Sequence, residues 1–305
     1  MVNGIINVYK EKGYTSFDVV AKLRGIFHQK KIGHTGTLDP DAQGVLPVCL
    51  GKATRVCDLL TDKDKVYKAV LLLGQETDTQ DISGQVLNQA KVNVTEQAVY
   101  DAISQFIGRQ KQVPPMYSAL KVNGKKLYEL ARAGKEVERQ ARHVDLPAIE
   151  ILEIKFPVVK FRVECSKGTY IRSLCADIGE KLCCGGTMQS LVRTRVGEFQ
   201  LADALTLAQL QELRDTERLE EALLPTDRIF SDFPMLHVEE KWRKLIDNGN
   251  AFYPGQTVEQ TTHPAGEWVR IYREDDSFVG IYAYDETKEW YKPVKIFPSN
   301  TESRK

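Results

Sequence analysis

The sequence predicts a mixed α+β fold with two unequal parts: a large domain with a mostly antiparallel sheet and flanking helices, and a small β-rich module. The 305 residues can bury a large core and still leave room for a second domain. Residues 149–156 and 158–165 are strand-like runs joined tightly at Pro157, which favours an antiparallel pair. After Met235 the chain changes to short strands between Gly, Asp and Pro turns, which indicates the second module.

Short runs rich in apolar and β-branched residues predict the strands of the large domain. They are residues 4–9, 45–50, 65–74, 149–156, 158–165 and 189–197. Helices are predicted where a capping residue precedes apolar positions at helical spacing. The expected caps are Thr15 or Ser16, Thr95 and Thr206, and further helices are expected near 53–60, at 125–133 and after Tyr170. Residues 75–84 are expected to be a polar loop, and their acids lack the spacing of an EF-hand calcium site.

The charges and cysteines limit the classes of function. Forty-two basic and forty-two acidic residues give zero net charge, so only local clustering can indicate a nucleic-acid partner. The six cysteines show no C-x-x-C pair and no nearby histidine at zinc spacing. They predict buried thiols in a reducing cytosol and no metal centre. Because no signal segment or membrane-length apolar run is present, we expect a cytoplasmic protein.

Residues 33–48, GHTGTLDPDAQGVLPV, contain three glycines and two prolines and cannot form a regular helix. The apolar run 45–50 predicts that this loop is held against a buried strand. Asp39 is the first acid after Asp18, and the chain between them is basic, which favours an ionised carboxylate that can act as a nucleophile. The intervening basic side chains are Lys22, Arg24, His28, Lys30, Lys31 and His34.

Two other interpretations of Asp39 are considered. An Asp followed by Pro is more often a residue that caps a turn. The spacing of Asp39 and Asp41 could also indicate a phosphatase or a metal site, but the strand follows the pair instead of leading into it.

The string G-H-T-G-T-L-D-P-x-A-x-G-V-L closely resembles the signature of the TruB family of tRNA pseudouridine synthases. The resemblance implies that Asp39 is the catalytic nucleophile and that sheet and helices surround a central cleft. It implies that uridine 55 in the T-loop of tRNA is turned out of the stack and isomerised to pseudouridine. Since substrate and product are isomers, no cofactor is expected. Asp39 could attack C1′ or C6, or the route could pass through a glycal.

Further motifs extend the resemblance. Tyr67 ends a K-x-Y motif that would stack the tyrosine on the target base near its C5 hydrogen, although a strand tyrosine is more often a core residue. Arg172 begins a predicted helix, where the dipole disfavours a cation; the resemblance implies that it pairs with Asp39. Residues 7–16 resemble N-x-x-K-P-x-G-x-T-S, with Glu11 where proline is usual, a departure that could loosen this turn.

Three more residues are expected to form the substrate pocket. The resemblance implies that His34 fills the space the base has left or braces the loop. Tyr170 would line the pocket and could orient Arg172. Leu191 matches a leucine that lines the uracil pocket opposite Tyr67, although its sequence context alone predicts a core residue.

Residues 112–143 are predicted to form a thumb-like insertion that grips RNA. Between residues 121 and 143, seven Lys or Arg stand against three Glu, a local excess of +4. Such a stretch is usually a solvated face, but it also resembles the mobile insertion P-P-x-Y-S-A-x-K…G-x-x-L-Y-x-x-A-R of the family. The resemblance divides the chain into a catalytic domain, 1–233, and a PUA-like RNA-binding domain, 234–305.

Other classes of function make different predictions. A tRNA-binding or tRNA-folding protein without catalysis would have a damaged site, whereas Asp39, Tyr67 and Arg172 are all present. A carboxylate-dependent hydrolase would need a metal-binding second acid after a strand, and Asp41 is poorly placed for it. A guide-RNA-dependent relative usually has extra basic extensions that this sequence lacks. We therefore expect the T-stem-loop of tRNA as the partner, no guide RNA, no membrane, and a monomer.

Overall fold

The computed structural model describes residues 1–122 and 124–297. The helices are α1 Ser16–Phe27, α2 Cys57–Thr61, α3 Glu96–Ser104, α4 Leu127–Arg132, α5 Ile171–Lys181, α6 Leu207–Asp215 and α7 Arg243–Asp247. The strands are β1 Gly4–Lys10, β2 Ile32–His34, β3 Gln43–Leu50, β4 Lys65–Leu73, β5 Gln75–Thr77, β6 Val86–Gln89, β7 Gly108–Gln112, β8 Lys121–Val122, β9 Lys125–Lys126, β10 Arg142–Leu146, β11 Ala148–Lys155, β12 Val158–Cys165, β13 Gly186–Val196, β14 Phe199–Gln200, β15 Met235–Val238, β16 Trp268–Arg273, β17 Phe278–Asp285 and β18 Trp290–Ile296.

The large sheet has the strand order β1-β3-β13-β4-β12-β11, with β2 added to β3 and β14 added to β13. All of these pairs are antiparallel except β3 with β13. The predicted α+β class with a mostly antiparallel sheet is therefore confirmed. The parallel pairing of β3 with β13 places Gly44, just after the loop of Asp39, beside Arg193 in the middle of β13. Two segments that are far apart in sequence therefore meet next to this loop.

Capping side chains determine where the helices that cover this sheet begin. Thr15 accepts from the amide of Asp18 at 3.0 Å, and the Asp18 carboxylate accepts from the amide of Thr15 at 2.8 Å, which starts α1 where the sequence predicts. Thr206 caps α6 in the same reciprocal way, with Gln209 as its partner, and the Thr95 side chain caps α3 by accepting from the amide of Ala98. The buried side of α1 packs with α6 against β1 and β3, while α3 and α5 share a separate apolar core with β4, β12 and β13.

Several predicted boundaries are wrong. Residues 75–84 begin with β5 instead of forming only a loop, and residues 125–126 are a strand, so that α4 starts at Leu127. The segment near 53–60 is a 3₁₀ helix, Gly51–Val56, followed by α2. Not all thiols are buried: Cys183 is exposed and Cys57 is half-buried. The segments with wrong boundaries, β5, β9 and the 3₁₀ helix with α2, are short. Local preference is weak in such segments, and tertiary contacts determine their secondary structure.

The C-terminal module is a second sheet with the order β15-β16-β17-β18, in which only β15 and β16 run parallel. The sequence predicted β16 and β17 and missed the outer strands. An apolar cluster joins the module to the large sheet, with Ile281 and Phe297 packed in the same core as Ile5 and Val45. The domain boundary at 233/234 stays a prediction. The last residues of the predicted C-terminal domain, 298–305, lie outside the described residues.

The predicted 112–143 insertion is carried on two paired strands. β7 and β10 run antiparallel, and between them the chain forms β8, β9 and α4, with residue 123 outside the described part. Within the described ranges, no helix combines the length and the apolar character needed to cross a membrane.

Candidate active site

The loop that carries Asp39 lies between β2 and β3 and is held from the N-terminal segment. The amide of Leu38 donates to the hydroxyl of Ser16 at 2.9 Å. The carbonyl of Pro40 accepts from the Lys10 ammonium at 3.2 Å and from the amide of Gly13 at 2.9 Å. The backbone is thus tied down directly before and directly after Asp39, and these contacts form although Glu11 replaces the usual proline.

Arg172 meets Asp39 from the first turn of α5. The guanidinium Nε lies 2.9 Å from Asp39 Oδ2, and Nη2 donates to Oδ1 at 3.3 Å. Two backbone carbonyls, of Thr79 and Tyr117, accept from the same guanidinium at 3.0 and 2.7 Å. Asp81 adds a second carboxylate, 3.6 Å from Nη1. With its side chain only 5% exposed, Arg172 is held in a single position between two acids.

The electrostatics of Asp39 differ from the expectation based on neighbouring sequence. Burial raises the pKa of Asp39, the charges of Arg172 and Lys10 oppose that rise, and the charge of Asp81 adds to it. The basic residues between positions 18 and 39 are not its partners; Lys22, for example, lines a groove between α1 and α6. The cations that oppose the rise in the pKa of Asp39 are Lys10 of β1 and Arg172 of α5, which only the fold brings near.

Asp39 and Arg172 line two adjoining cavities. The Tyr67 lobe, about 720 Å³, is also lined by Tyr67 and Tyr170. The His34 lobe, about 770 Å³, is lined by His34 and by side chains of the 112–143 insertion. Six residues line both lobes: Thr37, Asp39, Ser118, Ala119, Arg172 and Leu191. The predicted cleft therefore exists, and all six predicted site residues line it.

Besides Asp39 and Arg172, three of the predicted residues line the Tyr67 lobe. Tyr67 is buried on β4, and Leu191, on the adjacent strand β13, pairs in register with Ala69 of β4. Tyr170 precedes α5, and its backbone amide donates to Gln112 at 2.8 Å. Among the described residues, the hydrogen bonds of Arg172 go to other groups, and the orientation of Arg172 by Tyr170 stays a prediction.

His34 lies in the other lobe and not beside Tyr67. Its Nδ1 accepts from the amide of Gly36 at 3.4 Å, which is a contact within the loop. Burial lowers the pKa of His34, and the nearby Arg193 charge lowers it further. A neutral imidazole in this place can brace the loop or pack against a nucleotide without adding charge.

Sequence reasoning missed two residues of this site. Asp81 lies in the polar run 75–84, where nothing distinguishes it from the other acids, and only the fold places it beside Arg172. Arg193 lies in the run R-T-R of β13 and is 1% exposed. An arginine in the interior of a predicted strand, two residues after Leu191, was the available signal. In the described part of the chain, no cluster of three or more His, Cys, Asp or Glu side chains could hold a metal.

Comparisons with known proteins agree along the chain. The family model "TruB family pseudouridylate synthase (N terminal domain)" matches residues 24–171, and the model "tRNA pseudouridylate synthase B C-terminal domain" matches residues 172–231. The tRNA pseudouridine synthase B of Lachnoclostridium phytofermentans is 54% identical, over 97% of this chain and 100% of that protein. The tRNA pseudouridine synthase B of Alkaliphilus oremlandii is 48% identical, over 97% of both chains.

Solved structures show the same fold. A Cbf5-Nop10-Gar1 complex contains a chain with a TM-score of 0.71 and 29% identity, over 97% of this chain and 85% of that one. An H/ACA RNP bound to a substrate RNA containing 2′-deoxyuridine gives a TM-score of 0.71 at 26% identity, over 98% of this chain and 86% of that one.

Proposed function

Because the chain belongs to the TruB family of pseudouridine synthases, we propose that it isomerises uridine 55 in the T-loop of tRNA to pseudouridine, with Asp39 as nucleophile. The observation that carries the proposal is the ion pair of Asp39 and Arg172 in the cleft. The side chain of Asp39 is 38% exposed towards the cavities, whereas that of Arg172 is 5% exposed. The acid can therefore reach a substrate while its cation stays fixed behind it.

The reaction moves one bond and needs no external reagent. The C1′–N1 bond breaks, the freed uracil turns, C5 joins C1′, the C5 proton leaves, and N1 takes up a proton. Asp39 supplies the carboxylate, which must be ionised to attack, and the charge of Arg172 partly offsets the rise in its pKa that burial causes. The cavity walls exclude water while the base is free.

The Tyr67 lobe is the proposed site for the turning base. Tyr67 would give the uracil a flat face to stack on, and Leu191 would close the lobe from the neighbouring strand. Tyr170 would line the same space. The side-chain oxygen of Tyr67 would lie near the C5 hydrogen. In its deprotonated form, the phenolate, it would accept the C5 proton.

The 112–143 insertion is the proposed grip on the RNA. Lys126 and Arg132 lie 5.4 and 5.5 Å from the centre of the Tyr128 ring, and all three line the His34 lobe. Such cations can bind phosphates, and a base can stack on the aromatic ring. A T-stem-loop would then be recognised by its shape and its splayed bases more than by groove reading.

We further propose that the protein acts in the cytoplasm, as a monomer and without a guide RNA. It spans nearly the whole length of the curated tRNA pseudouridine synthases B that it matches. A single protein with the reacting groups, the base pocket and the basic insertion has the parts that recognition of a folded tRNA arm requires.

The test uses an unmodified T-stem-loop transcript that carries tritium at uridine C5. Purified protein should release tritium without other RNA, other protein or added metal, and in the presence of a chelator. Asp39→Asn should release none and still bind the RNA. Asp41→Asn is the matched control, because Asp41 is half exposed and pairs with Lys12 at 3.6 Å; it should stay active. Tritium release at the wild-type rate by Asp39→Ala would refute the assignment, and RNA binding without release by the wild type would favour a non-catalytic tRNA-folding role.

A further inference from the structure

Arg193 is a buried cation in the wall of the Tyr67 lobe. Its side chain lies in the middle of β13 and is 1% exposed. Its hydrogen bonds go to backbone carbonyls, and among the described residues no carboxylate lies within ion-pair distance. A buried charge without a counter-charge is costly. The charge of Arg193 also acts on a neighbouring cation. The pKa of Lys65 is lowered to about 8, mainly by burial and secondly by the charge of Arg193.

Arg193 contacts the loop of Asp39 at both of its ends. Nη2 donates to the carbonyl of Gly36 at 3.5 Å, before Asp39, and Nε donates to the carbonyl of Val45 at 2.7 Å, after it. The backbones of Gly44 and Arg193 also pack closely, because a Cβ on Gly44 (φ +107°) would lie only 2.2 Å from the carbonyl oxygen of Arg193. Arg193 therefore ties the segments before and after Asp39 to β13.

Arg193 also faces Tyr67. The two residues are direct register partners on β13 and β4, and both line the same lobe. The charged or titratable groups that act on the Tyr67 hydroxyl are Arg193, Cys165 and Asp39. Burial raises the pKa of Tyr67, and the charge of Arg193 opposes that rise.

We propose that Arg193 is a positioning residue of this site, which holds the loop of Asp39 and the hydroxyl of Tyr67 in one mutual arrangement. The inference rests on the proposed function and deepens it. When C5 has joined C1′, its proton must pass to an acceptor, and Tyr67 can take it only as the phenolate, which then returns the proton to solvent. The guanidinium stabilises that phenolate, which explains why a cation is kept here where a neutral clamp could hold the loop.

The test compares Arg193→Met, which has similar length and no donors, with Arg193→Lys, which keeps the charge but cannot bridge both carbonyls. Arg195→Met is the matched control, since Arg195 lies on the same strand and pairs with Glu164 at 2.6 Å. Each variant is assayed for single-turnover tritium release at saturating RNA across pH, for RNA affinity, and for the midpoint of thermal unfolding.

We expect Arg193→Met to lose about 10²-fold in rate, the cost of misplacing reacting groups, with RNA affinity unchanged. The limb of its rate profile that reports ionisation of Tyr67 should shift to higher pH than in the wild type, because the charge that opposes the rise in the pKa of Tyr67 is gone. Arg193→Lys should be slow with the wild-type pH profile, and Arg195→Met should match the wild type. A rate for Arg193→Met equal to that of Arg195→Met, or an unshifted pH profile, would overturn the inference. If Arg193→Met does not fold, wild-type rates in Arg193→Lys overturn it. An inactive wild type would instead refute the proposed function.

Discussion

Replacing Arg172 by Met removes the cation that the structure places directly behind Asp39. The change removes the contacts at 2.9 and 3.3 Å to Asp39 and leaves the carbonyls of Thr79 and Tyr117 without their donor. Breaking a fully buried pair costs about 3–5 kcal/mol. Because the Asp39 side chain is 38% exposed, solvent recovers part of that energy, and we expect the lower end. That figure is a cost in folding stability; for the rate we expect a separate loss of roughly 10²-fold, which corresponds to about 3 kcal/mol in the transition state.

The same change should move the pH dependence in a defined direction. Burial raises the pKa of Asp39 above its ordinary value, and the Arg172 charge is the largest opposing cause. Without Arg172 the pKa rises further, so a larger fraction of Asp39 is protonated at a given pH. Since the nucleophile must be ionised, the acid limb of the rate profile should shift to higher pH.

Single-turnover tritium release at saturating T-stem-loop, measured across pH, checks both parts. Arg172→Lys keeps a charge but loses the forked geometry, so it should show a smaller shift of the acid limb and an intermediate rate. RNA affinity should stay within about twofold of the wild type, because the effect is on reactivity. An acid limb in Arg172→Met that coincides with that of the wild type would refute the reasoning.

Three further predictions concern other parts of the molecule. Tyr67→Phe keeps a ring for stacking but lacks the hydroxyl, so tritium release should fall about 10²-fold or more with RNA binding retained, and full activity would remove the hydroxyl from the mechanism. Thr15→Ala removes the cap of α1 and should lower the free energy of unfolding in urea by about 1 kcal/mol, whereas an unchanged midpoint would contradict the cap. Lys126→Ala should reduce the slope of log affinity against log salt by about 0.7–0.9 if Lys126 binds one phosphate, and an unchanged slope would exclude that contact.

Local features of the fold were predictable wherever a segment is long or strongly marked. The strand 158–165, the caps Thr15, Thr95 and Thr206, and the start of α5 beside Tyr170 all follow from backbone preference and side-chain spacing. Segments of two or three residues, such as β5 and β9, did not, because their few local interactions are outweighed by contacts with distant parts of the chain.

The candidate site divides in the same way. Asp39 was recognisable because a loop rich in Gly and Pro precedes an apolar strand, and Arg172 because a cation at a helix start calls for an anion. Asp81 and Arg193 were not, since each acts through a neighbour more than 80 residues away in sequence. Asp39 does lie near cations, but these are Arg172 and Lys10 and not the basic residues that precede it in sequence, because adjacency along the chain is not adjacency in space.

The amino-acid order thus accounts for the chemical groups and the local backbone shapes of this protein, because both depend on interactions within a few residues. The meeting of Asp39, Asp81 and Arg172, the shift in the pKa of Asp39, and the contact of Arg193 with the loop depend on strand register, on the parallel pairing of β3 with β13, and on burial. Those are properties of the packed chain, since distance and exclusion of water set the strength of every charge interaction in the cleft.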